Sequence, residues 1–141
     1  MVTLNKIESN YDEIVKLHIS EAQKHFVAPN DYSLAQAKED SSLVPMGVYK
    51  DSIPVGFVMH GFDKEAGEYW ICRLMIDERY QGKGCGRRAM ELVIGEIKKD
   101  NNVIYISFEP ENDGAKKLYE SLGFVPDNRI LEGETVYRLD L

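Results

Sequence analysis

The spacing of apolar positions along this chain changes several times, and each change marks a new element. Residues 2–7 predict a first strand, and Ser9 followed by Asp12 reads as the start of a helix carrying Ile14, Leu17, Ile19 and Ala22. Pro29 punctuates the chain, and Ser33-Leu34-Ala35-Gln36 has capping-box spacing, so a second, separate short helix is expected to open there. Residues 46–49 and 53–62 are β-rich runs joined by Lys50-Asp51-Ser52, which predicts an antiparallel hairpin, and residues 69–76 extend it into a meander. After Gly86 the period becomes helical through Ala89, Met90, Val93, Ile94 and Ile97. Residues 103–108 return to strand, and Ala115, Leu118, Tyr119 and Leu122 mark another helix, ended by Gly123-Phe124. Residues 129–131 and 135–139, around Glu132-Gly133-Glu134, predict a terminal hairpin. The order of elements is that of a mixed α/β protein.

No repeat, low-complexity segment or linker interrupts this series, and 141 residues suit one domain spanning 1–141. A composition of 43% hydrophobic and 29% charged residues is globular. The start lacks a basic cap followed by an apolar run, and no stretch approaches the ~18 apolar residues of a span, so a cytoplasmic protein without a membrane partner is expected. Cys72 and Cys85 make neither a disulfide framework nor a zinc motif, and His18, His25 and His60 lack ligand spacing. No metal is implied, and the histidines read as surface or packing residues. A formal net charge of -7 disfavours nucleic acid and is compatible with a polycationic amine, although solubility alone accounts for acidity of this size.

The densest chemistry lies in Arg79-Tyr80-Gln81-Gly82-Lys83-Gly84-Cys85-Gly86-Arg87-Arg88, between a strand and the start of a long helix. Glycines allow tight turns that expose successive backbone N–H groups, and a helix N-terminus adds partial positive charge, so the segment reads as an anion site. Lys83, Arg87 and Arg88 are candidates for contacts with phosphate, with Arg87 favoured. A nucleotide P-loop would need Ser or Thr after the lysine, where this chain has Gly84. A dinucleotide fingerprint opening at Gly84 reaches Ala89 at its last position, but it asks for a parallel βαβ unit near the N-terminus, where a meander is expected.

Gln81-Gly82-Lys83-Gly84-Cys85-Gly86 resembles the Q/R-x-x-G-x-G/A acyl-CoA signature of the GNAT superfamily of N-acetyltransferases. Asn112, Ala115, Leu118-Tyr119-Glu120 and Gly123-Phe124 resemble its downstream N-x-x-A-x-x-L-Y-E-x-x-G-F pattern at the expected distance. This resemblance implies the GNAT fold: a twisted mixed sheet of about six or seven strands, the fourth and fifth splayed, flanked by about four helices. It further implies acetyl-CoA as cosubstrate, with pantetheine lying between those strands as an extra strand. Backbone groups of Leu74, Met75 and Ile76 would pair with it, residues Gln81, Gly82, Lys83, Gly84, Cys85, Gly86 and Arg87 would hold the pyrophosphate, and Asn112 would lie near the pantetheine arm. The side chains of Leu74 and Ile76 read equally well as core.

The same resemblance makes Tyr119 the general acid that protonates the departing sulfur, against the plain reading of a helix tyrosine packed on the sheet. An attacking ammonium must lose a proton. Polyamine acetyltransferases that resemble this chain carry a carboxylate in the fourth strand where this one has Cys72, so the base is sought in Glu109 or Glu68, acting through water. Alternation places Cys72 on the face of Trp70 and Leu74 as a small packing residue, which favours direct transfer over an acyl-cysteine. Segments such as Phe26-Val27-Ala28-Pro29-Asn30 and Met46-Gly47-Val48-Tyr49 resemble bacterial spermine/spermidine acetyltransferases, which implies a polyamine acceptor and an acidic mouth of Asp31, Glu39, Asp40 and Glu68. An aminoglycoside, another small amine, a protein amine, or a non-catalytic acyl-CoA sensor are the alternatives. A homodimer is compatible with the family.

Overall fold

A computed structural model describes residues 1–7, 11–17 and 30–141 of the chain. Seven strands form one sheet: β1 (Val2–Lys6), β2 (Leu43–Lys50), β3 (Ile53–Asp63), β4 (Glu68–Ile76), β5 (Val103–Phe108), β6 (Val125–Leu131) and β7 (Glu134–Asp140). Helices α1 (Tyr11–Val15) and α2 (Asn30–Glu39) precede β2, α3 (Cys85–Ile97) joins β4 to β5, and α4 (Asp113–Ser121) follows β5. The spatial order is β1-β2-β3-β4-β5-β7-β6. Neighbours are antiparallel except β4 and β5, which are parallel because α3 carries the chain back across the sheet between them.

The mixed α/β expectation holds, with differences at element ends. The capping-box reading of Ser33 does not hold: α2 already runs from Asn30, and Ser33 is a buried interior residue whose hydroxyl has no partner among the described residues. β2 begins at Leu43 and β6 at Val125, each earlier than expected from sequence, because pairing with β3 carries β2 back over Leu43-Val44-Pro45 and pairing with β7 carries β6 back to Val125. The Ser9 cap, the helical positions Ile19 and Ala22, Pro29, His18 and His25, and the segment 26–29 lie outside the described residues, as does the side chain of Asp31. His60 is a buried packing histidine, its Nδ1 2.6 Å from the Tyr69 hydroxyl, and burial lowers its pKa.

Each face of the sheet has its own apolar core. On one face the stripe Ala89, Met90, Val93 and Ile97 of α3 meets Val48, Val58, Ile71, Ile104 and Ile106. Each valine, isoleucine or methionine among them contributes about 1.5–3 kcal/mol on burial. On the other, Ile14, Leu17 and Leu34 cover Tyr49, Phe57, Met59 and Met75.

A bulge interrupts β4. His60 pairs with Ile71 and Met59 with Arg73, leaving Cys72 as the extra residue. Alternation therefore slips at this point, and the expectation that Cys72 shares a face with Leu74 fails: Leu74 packs with the α3 core and Cys72 with the α1–α2 core. The parallel ladder to β5 stops at the same place. It contains only Trp70 opposite Tyr105 and Ile71 opposite Ile106, and beyond them the strands part.

Candidate active site

The parting of β4 from β5 leaves one edge of residues 72–76 without a strand partner among the described residues. The side chains of Leu74, Met75 and Ile76 go into the two cores, so the backbone edge is what these residues offer a ligand.

Where β4 ends, Asp77 turns the chain. Its buried carboxylate accepts from the Arg79 backbone N–H at 3.0 Å and from Arg79 Nε at 2.8 Å, while its own N–H donates to the Val55 carbonyl at 2.7 Å. A single 3-10 turn, Glu78–Tyr80, follows. Gln81 Nε2 donates to the Ile76 carbonyl at 2.8 Å and ties the loop back to the strand. Gly82 and Gly84 have φ of +74° and +82°, and a Cβ on either would meet nothing within 4 Å, so both face open space in a conformation that favours glycine. Gly84 is the N-cap of α3 and supplies no side-chain cap, which leaves first-turn N–H groups free to receive an anion.

The basic residues of this segment are partly engaged. Lys83 Nζ lies 5.7 Å from the Tyr80 ring centroid. Arg87 Nη1 donates to Ser121 Oγ on α4 at 2.5 Å, and Arg88 lies 3.6 Å from Glu91. Cys85 is buried in the core, and Gly86 packs beside Ile76 and Leu118. Asn112 caps α4, its Oδ1 accepting from the Ala115 N–H at 3.2 Å.

Tyr119 is buried on α4 between Phe108 and Phe124, with ring centroids 5.5 and 5.9 Å away. Burial first, and the charge of Glu134 second, push its phenol well above the ordinary tyrosine range. It is therefore protonated at neutral pH and able to donate.

At the parting point a cavity of about 710 Å³ opens, walled by Trp70, Ile71, Cys72 and Arg73 of β4 and Ser107 of β5. Its mouth carries Asp40, Asp63, Glu65, Glu132 and Glu134 against Lys64 and Arg73. Of the acidic mouth expected from sequence, Asp40 lines the cavity, whereas Glu39 and Glu68 do not. Glu68 instead receives both Nη groups of Arg129, at 3.2 and 2.9 Å, and Arg129 lies over the rings of Trp70 and Tyr105. Glu109 also lies outside the lining; its backbone carbonyl accepts from the Asn112 N–H at 2.9 Å. Burial pushes the Cys72 thiol up to about 11, which keeps it protonated. Trp70 Nε1 and Arg73 Nε, both on cavity-lining residues, are buried donors without partners among the described residues.

Sequence reasoning missed Asp77 and Glu134. An Asp directly after an apolar strand and two residues before an Arg is a readable turn signal. Glu134 had none, because its place depends on how β7 pairs with β5.

Comparison with known proteins gives the following. The model of the acetyltransferase (GNAT) family matches residues 8–124. A spermine/spermidine N(1)-acetyltransferase of Bacillus subtilis is 35% identical over 126 residues, covering 83% of this chain and 82% of the relative. Among solved structures, an acetyltransferase from Thermus thermophilus aligns over 100% of this chain and 97% of its own with a TM-score of 0.83 at 19% identity. The PaiA N-acetyltransferase of Thermoplasma acidophilum, solved with coenzyme A, aligns over 100% and 99% with a TM-score of 0.72 at 13% identity.

Proposed function

Since this chain belongs to the GNAT family of acetyltransferases, we propose that residues 1–141 form one catalytic domain that moves the acetyl group of acetyl-CoA to a primary amine of a polyamine such as spermine or spermidine. The observation that carries the acceptor is the cavity where β4 leaves β5, in whose lining, among the described residues, five carboxylates outnumber two cations. Such a mouth raises the local concentration of a polycation. The name of the Bacillus relative supports the same class.

The residues fit acetyl-CoA. The N–H groups of residues 81–87 and the uncapped start of α3 would hold the pyrophosphate, the open edge at Leu74, Met75 and Ile76 would pair with the pantetheine amides, and Asn112 would stand beside that arm. The bound thioester supplies the electrophilic carbonyl. Tyr119 donates its phenolic proton to the departing sulfur, and burial keeps that proton in place until it is needed. Cys72 stays a protonated packing residue, so transfer is direct. A second reading is favoured by the orphaned donors Trp70 Nε1 and Arg73 Nε: an acceptor that carries an oxygen near its amine, as an aminoglycoside or a peptide does, would satisfy them.

The test is acetyl-CoA-dependent thiol release with spermine, spermidine, short diamines, an aminoglycoside and an amine-bearing peptide. Turnover confined to the polyamines supports the first reading. Turnover of only the oxygen-bearing acceptors replaces it with the second, and binding of acetyl-CoA without any turnover defeats both.

A further inference from the structure

We propose that Glu134 is the group that takes the proton from the acceptor's ammonium; this rests on reading the cavity as the amine site. Glu134 is the first residue of β7, and Thr135 pairs with Phe108, so Glu134 sits beside the end of β5 after that strand has left β4. The Ser107 hydroxyl donates to Glu134 Oε1 at 2.7 Å, and both residues line the cavity. That bond fixes the carboxylate through one oxygen and leaves Oε2 without a bond to any described residue.

The other carboxylates of the mouth are placed differently. Asp40 Oδ1 is taken by the N–H and hydroxyl of Ser42, at 2.9 and 2.6 Å, and Asp63 Oδ1 by the N–H groups of Glu65 and Ala66, at 3.0 and 3.3 Å. These two cap turns, and Glu65 and Glu132 sit on turns as well. All four are exposed, whereas Glu134 is half-buried beside the wall formed by β4 and β5. The effect of Glu134 on the Tyr119 phenol puts the proton acceptor and the proton donor within electrostatic reach of one another.

In the step assigned to Glu134 an N–H bond of the alkylammonium breaks, its electron pair stays on nitrogen, and a new O–H bond forms on the carboxylate. The proton then passes to solvent through the open mouth of the cavity. A carboxylate is a much weaker base than an alkylamine, about 4.3 against about 10.4 in unperturbed pKa, so full transfer beforehand is uphill. The transfer precedes attack as an uphill equilibrium, because the electron pair freed from that N–H bond is what bonds to carbon; after attack the nitrogen carries a second proton, now acidic, which leaves directly to solvent. Ser107 is then a positioning residue, because it acts only through Glu134.

The test uses Glu134→Gln, an isosteric change that can still accept from Ser107, in the full chain. With spermidine its kcat should fall about a hundredfold. Spermidine binding measured calorimetrically without acetyl-CoA should weaken much less than kcat, by about tenfold at most, since the other four carboxylates of the mouth remain to attract the polycation. With a spermidine analogue carrying two fluorines on the carbon next to the one that bears its reacting amine, whose ammonium is acidic enough to leave much of the amine neutral at pH 7, wild type and variant should differ far less than with spermidine, because the neutral fraction has no ammonium proton to lose. Ser107→Ala should give a smaller loss with the same dependence on the amine. Equal losses on both amines, or an unchanged kcat on spermidine, would overturn the assignment while the cavity's role stands. A wild-type chain that acetylates no amine in the panel overturns the cavity reading itself, and Glu134 with it. Thermal unfolding of each variant separates loss of fold from loss of chemistry.

Discussion

The loop that follows β4 and the cavity that opens along that strand are joined through β4 but are built in opposite ways. The loop is one uninterrupted run, from Asp77 through the first turn of α3, and the role proposed for it rests on backbone N–H groups that glycines expose. The cavity gathers side chains from five separate stretches: residues 40–43, 61–65, 70–73, 107 and 131–134. A backbone site depends on local conformation, so it survives many side-chain changes and fails at a few glycines. A side-chain site depends on register, and each member can be altered alone. The two should therefore break independently, and four measurements test this.

In the proposed mechanism Tyr119 serves both regions, since the departing sulfur would belong to the ligand of one and the incoming amine to the other. Tyr119→Phe keeps the ring contacts with Phe108 and Phe124 and removes only the hydroxyl, so kcat should fall about a hundredfold with both binding constants unchanged. A fall in stability with unchanged kcat would return Tyr119 to a packing role. Because its phenol is pushed up by burial, the acid limb should stay active through the alkaline range in which an ordinary tyrosine titrates. Its loss, read as kcat against pH, belongs above the usual tyrosine pKa of about 10.

Next in size is Gly84→Val. A branched residue at φ +82° strains the start of α3 by about 1–2 kcal/mol and puts methyl groups into space where phosphate would lie. Coenzyme A affinity, read by calorimetry, should drop at least about tenfold, which is what that strain alone produces when binding requires the native loop. Spermidine binding should not change. If both affinities fall together, the loop and the cavity are one unit and the contrast drawn above is wrong.

How much of each region could be read from sequence follows from the same contrast. The loop was legible because Gln81-Gly82-Lys83-Gly84-Cys85-Gly86 is contiguous and each glycine has a stated conformational reason. The order of elements along the chain was legible through the period changes, and the parting of β4 from β5 through the resemblance. The cavity was not. Glu68 and Glu109 stand at strand ends, where the sequence predicts a base, yet Arg129 from β6 crosses the sheet to hold Glu68 by both oxygens. Glu134 reaches the end of β5 because β7, not β6, pairs with β5. The bulge at Cys72 was equally hidden, since one extra residue reverses which face every later side chain of β4 uses, and nothing in the apolar count announces it.

Smaller effects belong to the rim. Asp63→Asn or Glu65→Gln removes one exposed carboxylate from the mouth and should raise KM for spermidine about threefold each, with kcat and coenzyme A affinity unchanged. The effect should shrink as salt rises, because the Debye length falls from about 10 Å at 0.1 M to about 3 Å at 1 M. A KM that ignores both the substitutions and the salt would mean that charge at the rim does not recruit the acceptor.

Cys72 should matter least, although it stands in the cavity wall where a nucleophile would be placed. Its thiol is buried, raised to about 11, and points its weak donor at the Trp70 carbonyl 4.0 Å away. Below the ordinary thiol pKa of 9.0 it is protonated whether folded or not; between there and about 11 only the folded form stays protonated, so rising pH through that window favours unfolding. Iodoacetamide should therefore label Cys72 slowly at pH 8, read by mass spectrometry of the intact fold, with labelling accelerating only as pH approaches that upper value. Cys72→Ala should keep turnover within about threefold, since it trades one small packing residue for another. Loss of nearly all turnover in this variant, together with an acetylated Cys72 trapped when amine is withheld, would replace direct transfer with a covalent relay and move the chemistry from the cavity's carboxylates to its wall.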